Sequence, residues 1–215
     1  MYNTVFFDLD GTLTESAPGI TTSVAYSLKH WGIEVKDITE LNKFVGPPLY
    51  ESYEKFYGFS KEEAVEAVKI FRSFYNTEGL FISSVYPGIP ELLQKIKDSG
   101  RKIMLATSKP EVTAIRILEH FDLMKYFDVA AGATEDSSRV AKADVIRYLM
   151  GRLPKEERDV SKIIMVGDRE HDVFGAREVG IDCIGVLFGY GDRHELERAG
   201  AKYIAETAAD VFNYL

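Results

Sequence analysis

The chain has 215 residues, an apolar fraction of 46% and a formal net charge of −8. That length supports one large core with a small accessory domain, and that apolar share excludes intrinsic disorder. The acidic balance argues against nucleic-acid and anionic-membrane partners, which recruit clustered Lys and Arg.

The N-terminus reads MYNTVFFDLDG. It lacks the basic start and long apolar run of a secretion signal. No stretch of about 18 apolar residues follows, so a cytoplasmic protein without a membrane span is expected. Thr4–Phe7 is short and continuously apolar, which predicts a strand covered on both faces. From 15 to 83 no strand is predicted. Helices are expected near 20–31, 48–57 and 60–77, with a Gly-Pro-Pro turn in segment 44–49. The third of these opens on Ser60-Lys61-Glu62-Glu63, a capping-box pattern. Ala64, Val65, Val68, Phe71 and Tyr75 then fall on one helical face, as the core stripe of a small bundle would. After Val85-Tyr86-Pro87-Gly88 the pattern changes. Apolar runs at 102–106, 127–131, 162–166, 183–187 and 203–205 alternate with helical stretches near 89–98, 110–121, 140–151, 170–179, 192–199 and 207–214. Strand and helix in repeated alternation predict an α/β fold, a parallel sheet with helices on both sides. The helical stretch 15–83 is therefore an insert placed after the first strand. Cys183 is the only cysteine. It has no disulfide or zinc partner and reads as a small buried side chain.

The chemistry gathers at strand ends, where open α/β sheets bind ligands. The first strand runs directly into Asp8-Leu9-Asp10-Gly11-Thr12. Gly11 permits the turn that two carboxylates one residue apart need in order to converge. The run 102–106 ends at Thr107-Ser108-Lys109-Pro110. Its hydroxyls can donate to a phosphate oxygen, the following helix start adds backbone donors, and Pro110 suits a first helical position. Taken alone, such a Ser or Thr is an ordinary helix cap. The run 162–166 ends at Gly167-Asp168-Arg169-Glu170-His171-Asp172. Asp168 and Asp172 are spaced to share one side of a helix start. With Asp8 and Asp10 they form an oxygen-only ligand set suited to Mg²⁺. His171 reads as an exposed helix residue. An ionised Asp8 that approaches a phosphate dianion needs a compensating cation besides the metal. Lys142, in the first turn of the helix at 140–151, and Arg139, earlier in the Ser-rich approach where a solvated role is the default, are the candidates.

These four segments, in this order, resemble the haloacid dehalogenase superfamily of phosphatases. Asp8–Thr12 matches its first motif, Thr107 the second, Lys142 the third and Gly167–Asp172 the fourth. The Lys-Pro form of the third motif is absent. The resemblance implies a three-layer Rossmann-like core from 1–14 and 84–215 and a helical cap from 15–83, hinged near 14–16 and 83–87. It further implies a nucleophilic Asp8 that forms an aspartyl-phosphate, and Asp10 as general acid and base. Mg²⁺ would be held by Asp8, the Asp10 carbonyl and Asp168, with Asp172 in the outer shell. Thr107, with Ser108 beside it, would bind phosphoryl oxygens, and Lys142 would neutralise charge. Segments 86–100 and 165–186 look like those of phosphoglycolate phosphatases and 5′-nucleotidases. The expected partner is a small phosphorylated metabolite; oligomeric state stays open. Three rival readings stand beside it. A phosphoglucomutase-type transfer keeps the fold. A receiver-like signalling domain shares the acids, the hydroxyl and the lysine but is shorter and has no insert. A nucleotide-dependent oxidoreductase would need a glycine fingerprint that Gly189-Tyr190-Gly191 does not supply.

Overall fold

A computed structural model describes residues 1–46, 48–134 and 138–215. The central residue of the expected Gly-Pro-Pro turn, Pro47, and Ser137 of the approach to Lys142 lie outside them. The chain forms two compact units, Met1–Thr14 with Val85–Leu215, and Glu15–Ser84.

In chain order the elements are β1 (Thr4–Phe7), β2 (Thr14–Glu15), α1 (Ala17–Lys29), α2 (Leu49–Tyr57), α3 (Lys61–Tyr75), β3 (Ser84–Val85), α4 (Ile89–Asp98), β4 (Lys102–Pro110), α5 (Glu111–His120), β5 (Val129–Ala133), α6 (Lys142–Arg152), β6 (Ile163–Gly167), α7 (Glu170–Val179), β7 (Asp182–Val186), α8 (Arg193–Ala199), β8 (Tyr203–Ala205) and α9 (Ala208–Val211). Six strands form the main sheet in the order β5-β4-β1-β6-β7-β8, all parallel. Such a Rossmann-like α/β sheet follows from right-handed crossovers. The chain winds outward from β1 to β4 and β5, then crosses back to β6 and winds the other way. The reversal falls at β1, between β4 and β6. That is the switch point where the strand ends open a crevice.

All four residues of β1 are buried, because successive side chains enter opposite layers. Phe6, Met104 and Met165 face Val145, Ile146 and Leu149 of α6 and Val173 and Ala176 of α7. Val5, Phe7, Leu105 and Ile164 alternate with them and are equally buried; α4 packs on β4 and α9 on β7. Each such side chain, fully buried, contributes roughly 1.5–3 kcal/mol. Cys183 lies in the same core, and burial raises its thiol pKa.

The helical unit is built around α1 and α3. Ser27 Oγ donates to the Ala67 carbonyl at 2.8 Å. The capping box at Ser60 is closed in both directions, with Glu63 N to Ser60 Oγ at 3.2 Å and Ser60 N to Glu63 Oε2 at 2.8 Å. Ala64, Val68, Phe71 and Tyr75 are buried as the periodicity predicts, whereas Val65 is 55% exposed and Ala67 takes its place. Four apolar residues already fill the stripe, and Val65 falls one helical step, about 100°, beyond it. Two short strands, β2 and β3, pair where the chain passes between the units; two residues are too few to leave a periodic signal.

Pro110 is the other departure. It is not the first helical residue but the last of β4, paired with Ala133 after an irregularity that follows Ala106. Proline disfavours the helical region for the residue before it, so Lys109 stays extended and the strand continues.

Candidate active site

Asp8 is the first residue after β1, and its N–H still donates to the Val166 carbonyl of β6 at 3.0 Å. The chain then turns sharply. The N–H groups of Leu13 and Thr14 both reach back to the Leu9 carbonyl, at 2.9 and 3.0 Å. Gly11 takes φ +83°, which a side chain resists, and a Cβ there would strike the Asp168 carboxylate. The turn delivers Thr12 Oγ1 to Asp168 Oδ1, at 3.2 Å.

Asp168 leaves the end of β6 fully buried. Its other oxygen accepts the Tyr190 N–H at 2.8 Å. Gly189 and Gly191 flank that donor, and a Cβ on either would collide with Asp168. The glycines that fail as a dinucleotide fingerprint thus serve close approach to a carboxylate. Asp172, in the first turn of α7, accepts the Arg169 N–H at 3.2 Å. Its carboxylate lies where a Cβ at Gly167 would stand.

Lys142, the first residue of α6, reaches into this cluster. Its Nζ stands 2.8 Å from Asp8 Oδ1 and 2.8 Å from Asp172 Oδ1, and donates to the Ala106 carbonyl at 2.8 Å. Its stem crosses Gly175, where any side chain would block it. Burial works against the ammonium, but Asp172 and Asp8 outweigh it and the lysine pKa is raised. Burial also pushes Asp8 up to about 6, a rise that Lys142 limits. Asp168 is pushed up to about 8, first by burial and then by the charges of Asp172 and Asp8.

Oxygens of Asp8, Asp168 and Asp172 lie within 4.8 Å of one another. Asp8 Oδ1 and Asp172 Oδ1 are buried atoms, and each meets the Lys142 ammonium at 2.8 Å. When ionised, these three carboxylates, two of them fully buried, leave two negative charges against one ammonium. A hard divalent cation fits that donor set and that deficit. Of the four acids grouped from the sequence, Asp8, Asp168 and Asp172 bring their carboxylates together. The Asp10 side chain instead pairs with Lys109, whose Nζ lies 3.0 and 2.8 Å from its two oxygens. Lys109 is absent from the sequence-derived site; its position between a hydroxyl residue and a proline at a strand end was the available signal.

Thr107 is buried, and its Oγ1 accepts the Lys109 N–H at 3.2 Å. Ser108 and His171 are exposed. Arg139, expected to be solvated, is instead tied to the Glu111 carboxylate, donates to the Gly132 carbonyl at 2.8 Å and lies over the Tyr148 ring at 3.9 Å. Those partners hold it as a brace between α5, β5 and α6.

The fold and this cluster define a hydrolase of the phosphatase kind, and the comparisons agree. The family model described as haloacid dehalogenase-like hydrolase matches residues 5–186, and the chain belongs to that family. A 5′-nucleotidase of Pseudomonas aeruginosa is 40% identical over 97% of this chain and 93% of its own. The tyrosine-protein kinase PtkA of Mycobacterium tuberculosis is 40% identical over 95% of this chain and 68% of its own. A phosphoglycolate phosphatase of Agrobacterium fabrum is 32% identical over 86% and 81%. The crystal structure of a predicted phosphatase from Clostridium acetobutylicum superposes with a TM-score of 0.88 at 45% identity, covering 100% of this chain and 98% of that one. Among the described residues no helix is long and apolar enough to cross a membrane.

Proposed function

We propose that the protein hydrolyses a small phosphate monoester through an aspartyl-phosphate on Asp8, with Mg²⁺ held by Asp8, Asp168 and the Asp10 carbonyl and with Asp172 close behind. The carrying observation is the clustered triad of Asp8, Asp168 and Asp172 with Lys142 set between two of its members. The bound cation supplies positive charge that offsets repulsion between nucleophile and phosphate. Asp8 attacks phosphorus as the bond to the leaving oxygen breaks, and Asp10 gives that oxygen its proton, so the alcohol departs neutral. Asp10 then takes a proton from water as the water oxygen bonds to phosphorus. Inorganic phosphate leaves and the Asp8 carboxylate returns. Lys142 and the hydroxyls of Thr107 and Ser108 engage the phosphoryl oxygens.

Relatives named 5′-nucleotidase and phosphoglycolate phosphatase favour nucleoside monophosphates and phosphoglycolate as the first substrates to compare, with sugar phosphates beside them. Phosphate release from such a panel, and from 4-nitrophenyl phosphate, is expected with Mg²⁺ and is lost in excess chelator. Undiminished turnover under chelation rejects the metal assignment.

The same site predicts a pH effect independent of turnover. In metal-free protein Asp8 and Asp168 hold protons more tightly folded than unfolded. Their stabilising contribution is full below about pH 4 and is lost as pH rises through about 6 and about 8. The melting temperature of metal-free protein should fall across that window. Added Mg²⁺ should raise it more at the upper end, where the ligands are already deprotonated. A Mg²⁺-induced rise that does not grow with pH contradicts the ligand assignment.

We place discrimination among leaving groups in the helical unit Glu15–Ser84, inserted between β1 and the rest of the catalytic unit. Replacing it with a short linker should reorder natural substrates more than it changes hydrolysis of 4-nitrophenyl phosphate. An unaltered ranking returns specificity to the α/β unit.

A further inference from the structure

We infer that Lys109 is a positioning residue, which acts on the reaction by holding the Asp10 carboxylate in the orientation needed at the leaving oxygen. The inference rests on the proposed role of Asp10 as proton donor.

Lys109 Nζ contacts both Asp10 oxygens, at 3.0 and 2.8 Å. A lysine that meets both oxygens opposes rotation of the carboxylate about its last bond, which a contact to one oxygen would not. The pair is not an ordinary surface ion pair. The lysine side chain is 7% exposed and the aspartate 25%, so screening by water is limited on the lysine side. The backbone that carries Lys109 is fixed from three directions. Its N–H donates to Thr107 Oγ1 at 3.2 Å. The next residue, Pro110, is paired with Ala133 of β5. The Lys109 carbonyl oxygen abuts Gly132, where any Cβ would collide with it. A short stretch of extended chain therefore presents both the Thr107 hydroxyl and the Lys109 ammonium from the end of β4. One is available to the phosphoryl group and the other is directed at the group that serves the leaving oxygen. Lys142, at the start of α6, meets the nucleophile through one oxygen, 2.8 Å from Asp8 Oδ1. The two carboxylates of the Asp8-Leu9-Asp10 turn are thus each paired with a separate lysine, and Lys109 alone spans both oxygens of its partner.

A residue that acts through the general acid has a recognisable kinetic signature. Its loss matters in proportion to how much the leaving group needs a proton. The test compares kcat/KM for phenyl phosphate, whose leaving phenol is weakly acidic, with that for 4-nitrophenyl phosphate, whose phenol is far more acidic. The proteins are the wild type, Lys109→Met, Asp10→Asn and the double variant, all at saturating Mg²⁺. Lys109→Met is expected to lower kcat/KM at least about tenfold for phenyl phosphate and less than about threefold for 4-nitrophenyl phosphate, within the range that general acid catalysis supplies. Asp10→Asn should show the same selectivity, more strongly. Lys109→Met should add nothing further in the Asp10→Asn background, because coupled groups are not additive. Thermal melting checks that each variant is folded, and Lys109→Gln serves in the same comparison if Lys109→Met is not.

Equal losses on both esters, or a full additional loss in the double variant, overturn the inference and assign Lys109 to the phosphoryl group or the fold. No loss on either ester overturns it as well. If Asp10→Asn shows the leaving-group signature and Lys109→Met does not, the positioning role alone fails. If Asp10→Asn itself lacks the signature, the proposed role of Asp10 fails, and the inference fails with it.

Discussion

Asp8→Asn is expected to lower kcat by at least about three decades while leaving a folded protein, the scale on which loss of a covalent nucleophile is felt. An amide nitrogen or oxygen does not open a route to an acyl phosphate, and the substitution also removes one of the three negative charges that make the site attractive to a divalent ion. The fold should survive for reasons visible around the residue. The Asp8 carboxyl is pushed up to about 6, chiefly by desolvation, so the ionised group is not one the fold needs for stability. Lys142 would keep its contacts to Asp172 Oδ1 and to the Ala106 carbonyl, both at 2.8 Å. The check is kcat at saturating substrate and Mg²⁺, with the melting temperature measured alongside. Mass spectrometry of acid-quenched enzyme should detect a phosphoryl adduct in the wild type and none in Asp8→Asn. It also excludes deamidation back to aspartate. A variant that retains more than about a tenth of the wild-type rate removes Asp8 as the nucleophile.

The parts of this site that could be read from the sequence are those fixed by short-range pattern. A buried strand that runs into Asp8-Leu9-Asp10-Gly11-Thr12 has few structural uses, and the structure puts Asp8 at the end of β1 with Gly11 at φ +83°. Asp168 and Asp172 follow β6 at helix-start spacing, and both are buried where the pattern places them. What the sequence did not yield depends on contacts across long separations. The pairing of Lys109 with Asp10 joins positions 99 residues apart, and the one local signal, a strand-end place between Ser108 and Pro110, does not name the partner. Gly189 and Gly191 do not make a nucleotide-binding fingerprint; they let the chain approach Asp168, 21 and 23 residues earlier by position. Arg139 looked like a surface charge because its partners, Glu111 and Tyr148, come from different helices. Val65 shows the limit of periodicity itself: a branched apolar side chain next to a helical stripe is 55% exposed.

Lys142→Ala is expected to lower kcat by at least about two decades, the usual scale for removing a positioned charge stabiliser. It should also lower the melting temperature, and both effects have one origin. Lys142 lies at the first residue of α6 with its side chain 5% exposed. Its Nζ reaches Asp8 and Asp172 at 2.8 Å each, and these acids keep it charged in spite of its burial. Removal leaves the Asp8 carboxylate and the buried Asp172 carboxylate facing each other without their shared cation. Breaking a buried pair in this way typically costs about 3–5 kcal/mol. In the reaction it strips positive charge from the place where the nucleophile meets the phosphoryl oxygens. Mg²⁺ should restore part of the stability but not the rate, since a bound cation offsets net charge without reproducing a contact at the position of Nζ. Arginine is a poor substitute, because its planar fork does not match a compact contact shared among single oxygens, and the passage over Gly175 is narrow. Arg139→Ala supplies the contrast. It breaks the tie to Glu111 and the contact with the Tyr148 ring, so it should lower the melting temperature while changing kcat less than about threefold, as loss of a brace remote from the reacting atoms does. Turnover numbers and melting curves for the two variants, measured together with and without Mg²⁺, decide between them. A mild loss of rate in Lys142→Ala beside a large one in Arg139→Ala would give the phosphoryl contact to Arg139 and leave Lys142 as the counter-charge that keeps Asp8 and Asp172 folded together.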